Sequence, residues 1–148
     1  MLLDLDHTLG CGQVFRWRKE GGLWKGIVDG RMVVLEQDGP RVAVRSGMGM
    51  AELERYFRSD DDLEAIYGAL GADRYLSSCF ERYRGLRLVR QDPWECVASY
   101  VLATNANIPR IQGMVERVCR TFGTERDGYY AFPTPGQLLD GCGRVEIG

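Results

Sequence analysis

Three polar side chains crowd one joint: Asn105, Asn107 and Arg110, in the run "TNANIPR". An apolar helical pattern, "WECVASYVLAT", leads into the joint, and a second, "RIQGMVERVCRTF", leaves it. Asparagine accepts the left-handed conformation at a helix end and caps the next helix with its side-chain oxygen, so a turn alone accounts for both amides. Arg110 is less easily explained, because a cation in a first helical turn meets the positive end of the helix dipole. A second interpretation uses the same geometry. Unpaired N–H groups at a helix start attract an anion such as a phosphate, Arg110 can reach a base edge, and Asn105 can enter a duplex. Chemistry on a base requires drawing it out of the stack, which leaves a gap and an unpaired partner. An amide and a guanidinium on one rigid joint can fill that gap and read the orphaned base, with Asn107 as a further DNA-contacting residue of the loop.

A second segment with chemical potential is "GCGQVFRW", Gly10 to Trp17. Gly12 just ahead of a strand lets the backbone approach a ligand closely, and its carbonyl can accept a hydrogen bond from a base. Phe15 and Trp17 share a face by strand alternation, which points to core more than to a stacking platform. His7 has no partner constellation and is expected at the surface. The cysteines (Cys11, Cys79, Cys96, Cys119, Cys142) form no CxxC pair. Neither a metal centre nor a disulfide framework is expected, buried free thiols are, and no motif asks for a cofactor.

Bulk composition narrows the class. The chain has 148 residues, 45% hydrophobic and 27% charged, enough for one domain or somewhat more with a real core. No run reaches membrane-spanning length. The start, "MLLDLDHTLG", lacks the pattern of a signal peptide, so an intracellular protein is expected. Net charge is −2, yet its distribution is uneven, with an acidic excess before residue 80 and a basic excess over 81–120. The only lysines are Lys19 and Lys25; the other cations are arginines. Arginine suits bidentate contact with phosphates and base edges, although GC-rich coding produces the same bias. Arg82, Arg84, Arg87 and Arg90 form a basic stripe near the joint or, equally, a solvated face.

These residues need elements to hold them. From Gly12 to Arg45 the runs "VFRWRK", "LWKGIV", "RMVVLEQ" and "RVAVR" are separated by Gly21-Gly22, Asp29-Gly30 and Asp38-Gly39-Pro40, which predicts about four antiparallel strands. Beyond Ala51 the period becomes helical: "AELERYFRS", then "LEAIYGAL" capped by Asp60 to Asp62, then "ADRYLSSCFERY" stopped at Gly85. "GLRLVRQ" is extended. Asp92, Pro93 and Glu95 occupy the cap, first and third positions of a strong helix start. "TPGQLLDG" begins a last short helix, and the chain stops at "GRVEIG" where helix is expected. Sheet first and helices afterwards predicts an α+β fold.

Four segments in order, "GQVFRW", "RGLRLVRQDPWEC", "TNANIPRIQGMVERVCRTFG" and "FPTPGQL", resemble the 8-oxoguanine DNA glycosylases of the eukaryotic and archaeal type, from about Leu9 to Leu139. The resemblance implies a TATA-binding-protein-like antiparallel sheet with helices over residues 1–90. Residues 91–148 then open an all-α helix-hairpin-helix domain that is incomplete. It further implies that Gly12 offers its carbonyl to the N7–H of 8-oxoguanine, that Asn105 fills the vacated space and that Arg110 bonds the cytosine left behind. Where the family often has three consecutive asparagines, this chain has Ala106 in the middle. The family's lysine nucleophile lies next to a "PGVG" hairpin, and its aspartate lies further along the chain. This chain has no lysine after Lys25 and no such hairpin, so no catalytic residue is expected within it. An N-terminal fragment inactive by itself is expected, whose partner is double-stranded DNA containing oxidised guanine. Self-association through bare helix faces is also expected. Two other functions fit the same chain: a fragment of an alkylated-base glycosylase, which the "NANIPR" joint disfavours, and a non-catalytic DNA-binding or interaction module using the sheet.

Overall fold

The computed structural model describes residues 1–141. A short helix comes first, α1 (Leu5–Gly10), followed by strands β1 (Trp17–Glu20), β2 (Leu23–Val28), β3 (Arg31–Asp38) and β4 (Arg41–Ser46). The four strands form one antiparallel sheet in chain order. Asp29 and Gly30 both take positive φ, the backbone that a two-residue hairpin turn demands. Alternate residues of β2 are buried, and Gly26 leaves the space that the Trp17 ring fills, since a Cβ there would lie 2.2 Å from Trp17 Cδ2.

Helix α2 (Met50–Tyr56) closes the buried face of the sheet. Leu5, Leu9, Trp17, Val33, Leu35, Leu53 and Phe57 form the centre of this core, where Trp17 Nε1 donates to the Tyr56 hydroxyl at 3.0 Å. A second core lies between helices further along, α5 (Pro93–Leu102) and α6 (Ile108–Phe122). Ile111, Val115 and Cys119 of α6 are buried there against Leu102, Phe15 and Phe132. In chain order α3 (Leu63–Leu70), α4 (Arg74–Arg82) and an extended stretch over 86–92 lie between α2 and α5. After α6 come a small hairpin, β5 (Glu125–Arg126) with β6 (Tyr129–Tyr130), and α7 (Pro135–Gly141).

Several expectations are corrected. Helix α1 has its own cap, Asp4 Oδ1 accepting from His7 N at 2.7 Å, and places His7 half-buried, with its ring edge-on to Tyr83. The first strand starts at Trp17, so alternation does not relate Phe15 to Trp17: Trp17 enters the sheet core and Phe15 the helical one. Of the three aspartates at 60–62, Asp62 caps α3, while Asp60 pairs with Arg90 and Asp61 with Arg58. Gly85 does not end α4, which stops at Arg82. It is buried with φ +86°, and its carbonyl accepts from Asp4 N at 2.8 Å, where a Cβ would press on that same nitrogen. Cys11, Cys79 and Cys96 are exposed, and of the described cysteines Cys119 is the buried one. Cys142 and "GRVEIG" lie outside the described residues. No described helix is long and apolar enough to cross a membrane.

Candidate nucleic-acid interface

Helix α5 starts as its sequence dictates: Asp92 Oδ1 accepts from Glu95 N at 2.8 Å, and Pro93 takes the first turn. It ends at Leu102, with the Thr104 hydroxyl donating back to the Val101 carbonyl at 3.0 Å. Asn105 then adopts φ +56°, the left-handed conformation that asparagine tolerates better than most residues. Asn107 caps α6, its Oδ1 accepting from Arg110 N at 3.0 Å. That oxygen is engaged within the protein. The side chains of Asn105 and Arg110 are different: both residues are exposed, and among the described residues the Arg110 guanidinium makes no hydrogen bond or ion pair.

Gly12 sits beside this joint. Its φ is +88°, and a Cβ placed on it would lie 2.8 Å from Ile108 Cδ1. Ile108 is the first residue of α6, so the loop ahead of the sheet touches the helix that carries Arg110. An open cleft of about 350 Å³ lies at this contact, lined by Gly12, Phe15, Cys96, Tyr100 and Ile108 among others. On its helical side Tyr100 is exposed, and Val97 and Val101, which do not line the cleft, are exposed apolar side chains of the same helix.

Three of the four arginines in the basic stripe, Arg82, Arg84 and Arg90, are exposed, and Arg87 is not. Arg87 is buried, donating to the carbonyls of Leu2 at 2.6 Å and Arg58 at 2.5 Å. Arg90 is held by Asp60 at 2.7 Å, Arg84 pairs with Glu64, and Arg82 lies over the Tyr83 ring. Arg87 fastens the protein to itself, while the other three make surface contacts.

Three further residues escaped the sequence reading. Gln13 and Gln91 bind the Gly12 loop to the extended stretch over 86–92, a role that no local pattern signals. Arg16 is buried, donates through Nη2 to the Tyr130 carbonyl and faces Glu95 at 3.8 Å. Glu95 therefore turns inward instead of reaching back to complete a capping box. Burial pushes its carboxyl up to about 7, against the pull of Arg16 and helped by Asp92 and Asp29. Among the described residues Nε and Nη1 of Arg16 have no hydrogen-bond partner. Arg16 also lines a cavity of about 20 Å³ between sheet and α5, large enough for one water. The charge inside "VFRWRK" was the available signal, since a cation between two aromatic residues needs a buried partner.

An antiparallel sheet joined to helices, with a glycine loop seated on the head of a helix, defines an α+β protein with a candidate base-reading cleft. Residues 2–97 match the family model for the 8-oxoguanine DNA glycosylase, N-terminal domain, and the chain belongs to that family. It is 33% identical to the N-glycosylase/DNA lyase of Saccharomyces cerevisiae, over 98% of this chain and 44% of that protein. It is 29% identical to N-glycosylase/DNA lyase OGG1 of Arabidopsis thaliana, over 78% of this chain and 34% of the relative. Among solved structures it resembles the Clostridium acetobutylicum 8-oxoguanine glycosylase/lyase in complex with double-stranded DNA containing cytosine opposite 8-oxoG. The TM-score is 0.84 and the identity 30%, covering 92% of this chain and 50% of the other. MBOgg1 with a low-affinity DNA ligand matches with a TM-score of 0.85 at 29% identity, covering 93% and 50%. The chain thus spans half or less of the length of these relatives.

Glu95 makes the stability of this arrangement depend on pH. The folded state holds its proton to about pH 7, whereas the ordinary value is 4.5. Between those values the folded state binds more protons than the unfolded one, so stability falls as pH rises through that window and levels off above it. Asp6, Glu52 and Asp60, held below their ordinary values by Lys19, Arg31 and Arg90, act at lower pH with the opposite sign. Urea unfolding from pH 5 to 8 should show the fall, up to ~3 kcal/mol at ~1.4 kcal/mol per pKa unit. Glu95→Gln should flatten it. A fall that survives the substitution contradicts the assignment.

Proposed function

We propose that this chain is the base-reading half of a DNA glycosylase that removes 8-oxoguanine paired with cytosine and nicks the resulting abasic site by β-elimination. The observation that carries the proposal is the contact of Gly12 with Ile108, which sets a bare backbone beside a joint whose Asn105 and Arg110 are both exposed. Residues 1–90 act as a TATA-binding-protein-like sheet domain, and 91–148 as the opening of a helix-hairpin-helix domain.

Each residue has a part in this scheme. The Gly12 carbonyl accepts the N7–H that 8-oxoguanine has and guanine lacks. A site built to accept that hydrogen bond rejects a base that cannot donate it, because a buried acceptor left unpaired is costly. Asn105 occupies the space of the extruded nucleotide. Arg110 donates to the cytosine left behind, through a guanidinium that no partner within the described protein claims. Asn107 contributes by fixing the start of α6, and Ala106 contributes no amide. Arg110 also separates this function from that of an alkylated-base glycosylase, which has no need to read an opposing cytosine.

The excision step requires a lysine amine to attack the sugar and form a Schiff base. Lys19 is paired with Asp6 at 2.6 Å and Lys25 with Glu20 at 2.8 Å, and neither lines the cleft. Neither lysine is therefore placed to act as that nucleophile at the cleft. With Arg87 buried, and Arg84 and Arg90 paired with Glu64 and Asp60, the chain binds DNA weakly and loses that affinity readily as salt rises.

Two measurements test this. Anisotropy titrations at low salt, with 8-oxoguanine duplexes carrying each of the four opposite bases, should show a preference for cytosine that Arg110→Ala reduces by ~1–3 kcal/mol. An unchanged preference contradicts the role of Arg110. Borohydride treatment of the chain with an 8-oxoguanine:cytosine duplex should leave no covalent adduct on denaturing gels. A trapped band would move the nucleophile to Lys19, Lys25 or the N-terminal amine.

A further inference from the structure

We propose that Gln13 is a positioning residue, a clamp that holds the Gly12 carbonyl at the depth at which it meets a base. This rests on the role of Gly12 proposed above and concerns how the protein fixes an atom that has no side chain to steer it.

A glycine at φ +88° has no intrinsic reason to remain there, because without a Cβ several backbone basins are close in energy. Contact with Ile108 limits Gly12 on one side only, since a methyl end can swing away. Gln13 supplies the constraint on the other side. Its Nε2 donates to the Thr8 carbonyl at 2.9 Å and to the Arg87 carbonyl at 2.8 Å. Its Oε1 accepts from Val89 N at 3.0 Å. Its own backbone carbonyl, one peptide from Gly12, accepts from Gln91 Nε2 at 2.9 Å. Both amide hydrogens and the amide oxygen are thus engaged with backbone from α1 and from the extended stretch over 86–92.

The anchors are themselves fixed. Thr8 is fully buried, and its hydroxyl accepts from Arg87 N at 3.1 Å. Arg87 is buried and carries bonds to Leu2 and Arg58. Gln13 therefore ties the loop to buried, hydrogen-bonded residues of the sheet domain. No apolar side chain of similar size can replace it, because the Arg87 carbonyl and the Val89 N–H would lose this partner together and the Thr8 carbonyl would keep only the weak Cys11 Sγ–H donor. A glutamate at this position would set a carboxylate against two carbonyl oxygens.

A residue needed only for folding would alter stability without changing which base is preferred. The test uses the 148-residue chain with two measurements: the ¹⁵N order parameter of Gly12, and the ratio of affinities for an 8-oxoguanine:cytosine duplex over the guanine:cytosine duplex. In Gln13→Met the Gly12 order parameter should fall from the rigid range, ~0.85, to below ~0.6. The affinity ratio should fall about tenfold, the worth of one well-placed hydrogen bond, with affinity for the guanine duplex unchanged. If Gln13→Met does not fold, Gln91→Met removes a single bond to the same loop and should lower both readouts by a smaller amount. A folded variant in which Gly12 stays rigid and the ratio is unchanged overturns the clamp. If the wild-type chain binds both duplexes equally, the lesion-reading role of Gly12 fails. The order parameter alone then decides the clamp, supporting it by falling and overturning it by holding.

Discussion

A missing Cβ at residue 12 is the constraint from which the rest of the arrangement follows. Any side chain there would press on Ile108 and would have to accept a left-handed backbone. With glycine, the loop before the sheet closes onto the head of α6, and the two hydrophobic cores meet at that point. Phe15, three residues on, packs into the helical core, while Trp17, two further, belongs to the sheet core. A five-residue passage therefore stitches the two layers together, and the cleft beside α5 is the space left where they meet.

Charge reinforces the same seam. Arg16 and Glu95 face each other across it, one from the sheet side and one from α5, and Arg16 also holds the Tyr130 carbonyl. Arg87, Arg90 and Arg58 perform a comparable service for the extended stretch over 86–92 and the turn after α2. Arg110 stands at the start of α6 against the helix dipole, and it shares with Arg41 and Arg126 the lack of an ion pair among the described residues. Such a residue stabilises nothing within the described fold, which fits a group kept for an external partner.

The sheet was legible because its turns require positive φ and the sequence supplies Gly-Gly and Asp-Gly at those places. Helix α5 was legible from Asp92 and Pro93, whose capping chemistry is local. What stayed hidden depended on partners distant in the chain. The β5–β6 hairpin has the Asp127-Gly128 turn but strands of two residues, too short for alternation to show. Helix α1 offers one turn and a half, with Leu5 and Leu9 as its apolar signal. Arg87 looked like a surface residue, as Arg82, Arg84 and Arg90 are, because nothing near it in sequence announces the carbonyls of Leu2 and Arg58. Glu95 looked like a capping residue because its true partner, Arg16, lies in another layer. For the site, the resemblance to a family supplied Gly12, Asn105 and Arg110, and the fold added what spacing could not: that Gly12 and the joint lie side by side, with Gln13 and Gln91 behind them.

The central claim is that DNA meets the chain at this seam. An amide chemical-shift titration of the chain with an 8-oxoguanine:cytosine duplex tests it most directly. Shifts at Gly12, Asn105 and Arg110 that move together along one binding isotherm, with β4 (Arg41–Ser46) unmoved, are the predicted result. Shifts confined to the sheet, with the joint silent, would show that the chain binds as a sheet module and that the cleft has another use.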